Sequence, residues 1–443
     1  MSRSLLRRAL LAAAFVLPMA LSGAPAVAGS PPPEDPPPSV WRVAASGPQA
    51  RALADAGFDV VETHDDAVLV VGPASTADRL RDLGYRPRFH DTVHKPVEGA
   101  ENAPADTFYG GYHTPAAHEA HLDQVAAAHP GLATVVDIGD SWRRTRGLGG
   151  HDIKAICLTR KKEGDCALRP NAAKPRLAVI AQIHARELAT GEVAWRWIDH
   201  LAGGYGVDAE VTSVLDSTEV WVVPIANPDG VDIVASGGDR PRMQRKNANT
   251  SNGACGGTTI GIDLNRNSSF RWGGDSTRPC AETYQGPRAA SEPETRALET
   301  WFSALFPDRR GQGDDDPAPR DATGVMITLH SYGNYIITPW GWTERPAPND
   351  AQLRALGRKM AQSNGYVVGT NGDTVGYSTT GTTDDYTYGV LGVASFTFEI
   401  GSSSGSCGGF FPQYSCVNSV FWPKNRGALM TAAKAAAAPY QTT

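Results

Sequence analysis

No excess of positive charge is present in this chain of 443 residues: 41 Lys and Arg stand against 47 Asp and Glu, a formal net charge of -6. A mildly acidic chain lacks the basic face that nucleic-acid binding needs. Cysteine is scarce, at six residues, and none stands in a CxxC spacing, which argues against a cysteine zinc site. The HExxH signature of many metalloproteases is missing too. Its nearest approach, His118-Glu119-Ala120-His121, has one residue too few between the histidines and is expected to be an exposed helical face. There is no internal repeat, and no segment after the N-terminal leader is long and apolar enough to span a bilayer. With 41% hydrophobic and 20% charged residues, the composition is that of globular protein rather than disorder. The length allows more than one folding unit.

The N-terminus reads as an export signal. Arg3, Arg7 and Arg8 precede an apolar run from Ala9 to about Leu21, and Ala26-Val27-Ala28 offers a small-x-small cleavage site. The run is short for a membrane anchor and Pro18 interrupts it. Arg7-Arg8 leaves twin-arginine export open beside general secretion. Removal of residues 1–28 takes away three positive charges and no negative ones, moving the net charge from -6 to -9. A secreted, extracellular protein meets an oxidising environment. The cysteines fall into three local pairs, Cys157/Cys166, Cys255/Cys280 and Cys407/Cys416. Three disulfides are expected, although six cysteines allow about fifteen pairings in principle.

A spacer with Pro31-Pro32-Pro33 and Pro36-Pro37-Pro38 follows the leader. From about Val40 to His94 the pattern is strand (Trp41–Ala45), helix (Pro48–Ala56), two strands (Phe58–Glu62 and Ala67–Val71), helix (Ala74–Leu83) and a last strand (Arg86–His90). That order predicts a small ferredoxin-like α+β module. Lys95–Asp106 reads as an exposed linker. The expected division is therefore a signal peptide at 1–28, a propeptide at 29–106 and a catalytic domain at 107–443. Position alone leaves a permanent accessory domain as the other reading of the module.

The remainder alternates strand-like and helix-like runs. Leu177–Ile183, Val220–Pro224, Val325–Leu329 and Ser395–Ile400 are strand-like. Gly191–Leu201, Glu292–Leu305 with Ser291 as its cap, and Arg426–Ala438 are helix-like. This predicts an α/β fold with a mixed, mostly parallel sheet flanked by helices.

Chemistry gathers at the strand ends. His184-Ala185-Arg186-Glu187 directly follows Leu177–Ile183, His330 follows Val325–Leu329, and Glu399 closes Ser395–Ile400. An HxxE pair alone is weak, since about half a match is expected by chance. Its position is the stronger signal, because ligand sites of open α/β sheets lie at the C-terminal ends of strands. Two histidines and two glutamates at three strand ends could supply three zinc ligands and a catalytic base.

Six segments then occur in one order: HARE, RMQRKN (Arg242–Asn247), DLNRN (Asp263–Asn267), SEPET (Ser291–Thr295), LHSY (Leu329–Tyr332) and FTFEIG (Phe396–Gly401). In this the region 107–440 resembles the zinc carboxypeptidase family of carboxypeptidases A and B. It is most similar to its secreted bacterial members of the carboxypeptidase T kind, whose precursors carry a signal and a propeptide. The resemblance implies one zinc ion held by His184, Glu187 and His330, with Glu399 activating the zinc-bound water. It implies that Arg245 polarises the scissile carbonyl, and that Asn265, Arg266 and the mobile Tyr377 hold the terminal carboxylate. Arg186 and Tyr332 match subsites further along the peptide. A guanidinium forks onto both oxygens of a carboxylate, which restricts cleavage to chain ends.

By spacing, Asp384 falls at the family position near the bottom of the pocket for the terminal side chain, with Gly341, Gly372 and Thr397 at other pocket positions. The resemblance then implies release of single basic, and also apolar, amino acids. In the other reading Asp384 points away and neighbouring Asp385 is merely structural. Gln244 stands where many relatives carry an aromatic, and Ser268-Ser269 where they often have Trp. The implied partners are peptides with a free C-terminus and an activating protease, with no nucleic acid, no membrane and a monomeric state. Two rival functions remain: a zinc amidohydrolase on the same scaffold, and a catalytically dead binding protein.

Overall fold

The N-terminal module is built from four short strands and two helices. These are β1 (Ser39–Val43), α1 (Gly47–Asp55), β2 (Asp59–Thr63), β3 (Val68–Gly72), α2 (Ala74–Asp82) and β4 (Arg88–Thr92). In this computed structural model the described residues are 38–64, 66–97, 104, and 106–441. The expected export signal and most of the Pro-rich spacer lie outside them, as does the middle of the expected linker. The four strands pair antiparallel in the order β2-β3-β1-β4, the ferredoxin-like arrangement. Ser46 starts α1 with a capping box, its N–H donating to Gln49 Oε1 at 2.8 Å.

Alternation along β3 explains why this strand is apolar on both faces. Val68 and Val70 join Ala50, Leu53, Phe58 and Leu80 in the module's own core. Leu69 and Val71, on the opposite face, join the core of the larger domain.

The larger domain begins with a two-stranded ribbon, β5 (Thr107–Phe108) and β6 (Tyr112–His113). It continues with α3 (Pro115–Ala128), β7 (Ala133–Asp140), α4 (Trp142–Thr145), β8 (Asp152–Leu158) and β9 (Arg176–Ala181). Next come α5 (Leu188–Gly204), α6 (Ala209–Ser217), β10 (Glu219–Val223), α7 (Pro228–Ala235), α8 (Pro293–Leu305) and β11 (Val325–His330). Last are β12 (Tyr335–Ile337), α9 (Asp350–Asn364), β13 (Val367–Gly369), α10 (Asn371–Thr374), α11 (Thr383–Leu391), β14 (Ala394–Glu399) and α12 (Trp422–Ala435).

The eight-stranded sheet runs β13-β12-β14-β11-β9-β10-β8-β7. Strands β10, β9, β11 and β14 are mutually parallel, and antiparallel pairs lie toward both edges. All six residues of β9 are buried, as a central strand covered on both faces requires. Leu177, Val179 and Ala181 face the core that α5 and α12 share, while Ala178 and Ile180 face Leu298, Trp301 and Phe302 of α8. The disulfides are Cys157–Cys166, Cys255–Cys280 and Cys407–Cys416, the local pairs expected. No helix among the described residues is long and apolar enough to cross a membrane.

Two local expectations need correction. Glu292, not Ser291, occupies the cap of α8, and the Ser291 hydroxyl instead donates to Glu292 Oε1 at 2.8 Å. His118 and His121 do not lie on an exposed face; both are buried against α5. The His121 ring stacks on Trp195 at 3.7 Å and its Nε2 meets Asp199 at 2.7 Å. That aromatic and acidic surface makes the burial of an imidazole tolerable.

Candidate active site

The β9–α5 turn positions the first two functional side chains. After β9, Gln182 takes a left-handed conformation, φ 46°, and its N–H donates to Thr190 Oγ1 at 3.1 Å. The side chain of Gln182 lies against α5 at Gly191, where a Cβ would stand 2.2 Å from its Oε1. A larger residue at 191 would displace the end of the Gln182 side chain. The tight turn aims His184 and Glu187 at the C-terminal edge of the sheet. His330 ends β11 and Glu399 ends β14, and the two are register partners across the parallel ladder.

Three of these side chains converge in the interior. His184 Nδ1 lies 2.7 Å from Glu187 Oε1 and 3.1 Å from His330 Nδ1, and His330 Nδ1 lies 3.0 Å from Glu187 Oε2. The far nitrogens are engaged elsewhere: His184 Nε2 with Asp263 Oδ1 at 3.1 Å, and His330 Nε2 with Thr328 Oγ1 at 3.0 Å. Both Nδ1 atoms are thereby held toward one point beside a carboxylate. Two imidazoles and a carboxylate oriented by outer partners suit a zinc ion. Among the described residues this is the one such grouping of His, Cys, Asp and Glu. Burial pushes the Glu187 carboxyl up, but the two histidines outweigh it and hold the group below the usual carboxylate range.

Glu399, Arg245, Asn265, Arg266, Tyr332, Tyr377, Asp384 and Thr397 line the same cavity as the three histidine and glutamate groups. Burial pushes the Glu399 carboxyl up to about 8, against the pull of His330. A carboxyl raised into this range exchanges protons readily near neutral pH. Asp263 holds Arg245 by two contacts, at 3.0 and 2.9 Å from Nε and Nη2. One buried carboxylate thus orients both His184 and Arg245. Asn265 Oδ1 accepts from the backbone and side chain of Thr383, and the residue lines the cavity. Arg266 rests beside Asp275 at 3.3 Å.

The pocket residues sort differently. Asp384 is buried at 4% exposure and lines the cavity; its backbone carbonyl accepts from Thr387 Oγ1 at 3.2 Å, while its carboxylate has no hydrogen-bond or ion-pair partner among the described residues. Asp385 is structural: its carboxylate accepts from the N–H groups of Gly341 and Trp342 at 2.9 to 3.0 Å. Gly341 packs behind Asn371 and Thr379, and neither it nor Gly372 lines the cavity.

Gln244 is fully buried and donates to the carbonyls of Lys246, Asn247 and Ile260. It braces the Arg245 loop from within. Ser269 ties its segment to Glu299 through both N–H and Oγ. Reading for chemistry missed the partners that orient the site, namely Asp263, Thr328, Asp275 and Thr383. Only Asp263 had a signal, as the first residue of DLNRN.

The N-terminal module closes over this cleft. Val60 and Val61 line the cavity beside the three converging ligands. Asp59 grips Arg186 with both oxygens, at 2.5 and 2.8 Å. Arg186 also stacks over the Phe410 ring at 4.2 Å, and Tyr332 packs on that ring at 4.9 Å. Arg51 donates to the Gly274 carbonyl at 2.8 Å, and Arg278 reaches back to that of Ala54 at 3.4 Å.

Comparison with known proteins agrees with this geometry. Residues 118–421 match the family model described as zinc carboxypeptidase. A zinc carboxypeptidase of Saccharothrix mutabilis subsp. capreolus is 30% identical over 92% of this chain and 92% of that protein. Mouse carboxypeptidase A2 is 28% identical over 66% of this chain and 63% of its own length. Among solved structures, the carboxypeptidase A of Helicoverpa armigera superposes with a TM-score of 0.73 at 22% identity, covering 90% of this chain and 97% of that one. By the family match and by the relative that spans nearly its whole length, the chain belongs to the zinc carboxypeptidase family, and it is a metallocarboxypeptidase.

Proposed function

We propose that the protein is a secreted exopeptidase that releases single basic and apolar amino acids from peptides with a free C-terminus. One observation carries the reading: His184, Glu187 and His330 converge in a cavity also lined by Glu399, Arg245 and Arg266. A zinc ion held by His184, Glu187 and His330 would polarise the scissile carbonyl and acidify water.

The remaining steps belong to the chain itself. Glu399 takes a proton from the attacking water and passes it to the leaving amine. Its place in the cavity, as register partner of His330 and beside the three converging ligands, suits both transfers. Arg245, held rigid by Asp263, faces the oxygen on which negative charge develops. Asn265 and Arg266 hold the terminal carboxylate, and Tyr377 closes over it. Arg186 and Tyr332 contact the peptide upstream. The unpaired Asp384 carboxylate receives a terminal Lys or Arg. Ile337, Val375 and Thr397, which line the same cavity, offer contact to an apolar side chain.

The N-terminal module acts as an inhibitory propeptide at 29–106, released by an activating protease. The support is its placement, with Val60 and Val61 over the cleft and Asp59 on Arg186. The three disulfides are consistent with export into an oxidising compartment, and the enzyme acts there as a monomer.

The test uses mature protein and peptides ending in Phe, Leu, Arg or Glu, each beside its C-terminal amide, with and without a zinc chelator. Chelator-sensitive release from the acids but not the amides is expected. Cleavage of the amides, or release that no chelator affects, overturns the reading.

A further inference from the structure

The segments that carry Arg245 and Arg266 have little regular structure of their own. Arg245 sits in the irregular stretch after α7, and Arg266 in the single 3-10 turn Leu264–Arg266. A guanidinium that must meet a developing charge needs placement within a fraction of an ångström. The two segments converge on one residue outside the cleft, Glu292, at the start of α8.

Glu292 is 1% exposed. Its Oε2 accepts from Asn247 Nδ2 at 2.9 Å and from Asn249 Nδ2 at 2.8 Å. Asn247 lies two residues beyond Arg245, and its own Oδ1 accepts the Ile262 N–H at 2.9 Å. Neighbouring Glu294 shares the Asn247 amide at 3.2 Å and accepts the Trp142 N–H at 2.7 Å. The other segment is reached through the backbone. The Glu292 N–H donates to Asn267 Oδ1 at 3.1 Å, and Asn267 directly follows Arg266. Asn267 Nδ2 donates in turn to the carbonyls of Gln285 and Arg288 and to Ser291 Oγ. Glu292, Glu294, Asn247, Asn249 and Asn267 are buried and hydrogen-bonded, the condition under which a polar network fixes one geometry.

We propose that Glu292 is a positioning residue that sets the two arginines relative to one another: its carboxylate fixes the Arg245 segment, and its backbone N–H, through Asn267, fixes the Arg266 segment. The division has kinetic content, resting on the carboxypeptidase reading above. Loss of the carboxylate releases the Arg245 segment, which acts in the transition state, and leaves the Asn267 bond in place. Loss of the Asn267 amide releases the Arg266 segment, which binds the terminal carboxylate.

The experiment compares Glu292→Ala, Glu292→Gln and Asn267→Ala with the wild-type mature enzyme, on one free-acid peptide. Glu292→Ala is expected to lower kcat by about tenfold to a hundredfold with KM within about threefold. Asn267→Ala is expected to raise KM by about tenfold with a smaller change in kcat. Glu292→Gln keeps an acceptor for both asparagines and reverses the Ser291 contact, its amide donating to the Ser291 hydroxyl oxygen, and should stay within about threefold of wild type. A role in stability alone would lower the melting temperature of both alanine variants without separating kcat from KM. That result overturns the proposal, as does a Gln variant as impaired as the Ala variant. Should Glu292→Ala fail to fold, Asn249→Ala carries the test: a fall in kcat supports the proposal and wild-type kinetics overturn it. A wild-type enzyme without chelator-sensitive release would instead refute the carboxypeptidase reading, a failure seen before any variant is made.

Discussion

Asp59 of the N-terminal module lies across the Arg186 guanidinium of the larger domain with both carboxylate oxygens in contact. Glu282 stands 3.6 Å from the same guanidinium. Burial, and then the charge of Asp59, push the Glu282 carboxyl up to about 7. Two acids therefore compete for one arginine.

Removing Asp59 should loosen the module. Truncating one partner of a buried charge pair costs about 2 to 5 kcal/mol of binding. Because Glu282 remains to take over Arg186, the lower end is expected, a roughly thirtyfold weaker inhibition. Mature enzyme titrated with separately produced module, wild type or Asp59→Ala, measures it. Equal inhibition constants would remove this contact from the account of inhibition.

Release of the module should not depend on a trypsin-like protease cutting the linker. Lys95 is the last Lys or Arg before Arg143. It is 7% exposed, bonded through Nζ to Asp91 and the Thr92 carbonyl, and followed by Pro96. Sequencing the N-terminus of naturally processed enzyme is expected to show a start that does not follow Lys or Arg. A start at Pro96 would contradict this.

Asp384→Ala should separate the two substrate classes. A terminal Arg loses the Asp384 carboxylate as its counter-charge, so kcat/KM should fall by about a hundredfold. Release of terminal Phe should change by less than about threefold. Parallel loss on both substrates would assign Asp384 a structural role like that of Asp385.

Glu399→Gln should retain the metal and lose turnover by a factor of about a hundred to ten thousand. Zinc content measured beside rate checks it. A variant that loses zinc would show Glu399 acting as a ligand, and unchanged turnover would remove it from catalysis.

A pH effect on stability should come from His151, far from the chemistry. Its ring bridges Glu119 at 2.7 Å and Asp232 at 2.9 Å. These hydrogen bonds, Asp232 first, raise the imidazole from 6.5 to about 10. The charged ring therefore stabilises the fold fully below pH 6.5, and that contribution is lost as pH rises toward 10. The melting-temperature gap between wild type and His151→Gln should be widest at pH 6 and shrink by pH 10. A gap independent of pH would remove the charge from the explanation.

Much of this site was legible because its chemistry sits at strand ends. His184, His330 and Glu399 each follow an apolar run, and a parallel strand points its C-terminal residues at one edge. The module was legible for a related reason, since its strands and helices alternate with turn residues between them. What local pattern could not show depends on surfaces supplied from a distance. His118 and His121 read as solvent-facing because their partners, Trp195, Glu192 and Asp199, all belong to α5. Asp263 carries no periodic signal, and its meaning appears only when His184 and Arg245 reach it from two other segments. Strands β7 and β8 lack the long apolar runs of the centre because they lie toward an edge of the sheet.

The two-faced burial of β3 bears on how the chain folds. Val68 and Val70 can be covered by residues within the module itself, but Leu69 and Val71 are covered by the chain that follows. The module emerges first during synthesis and cannot complete its own burial until the rest is made. Its exposed face then offers the later-folding sheet a ready apolar template. On the propeptide reading proposed above, the same face would become a liability once the module is cut away, for the freed fragment would carry an uncovered strand face prone to self-association or digestion. A fragment lost in either way would no longer return to the cleft, which would make activation a one-way event.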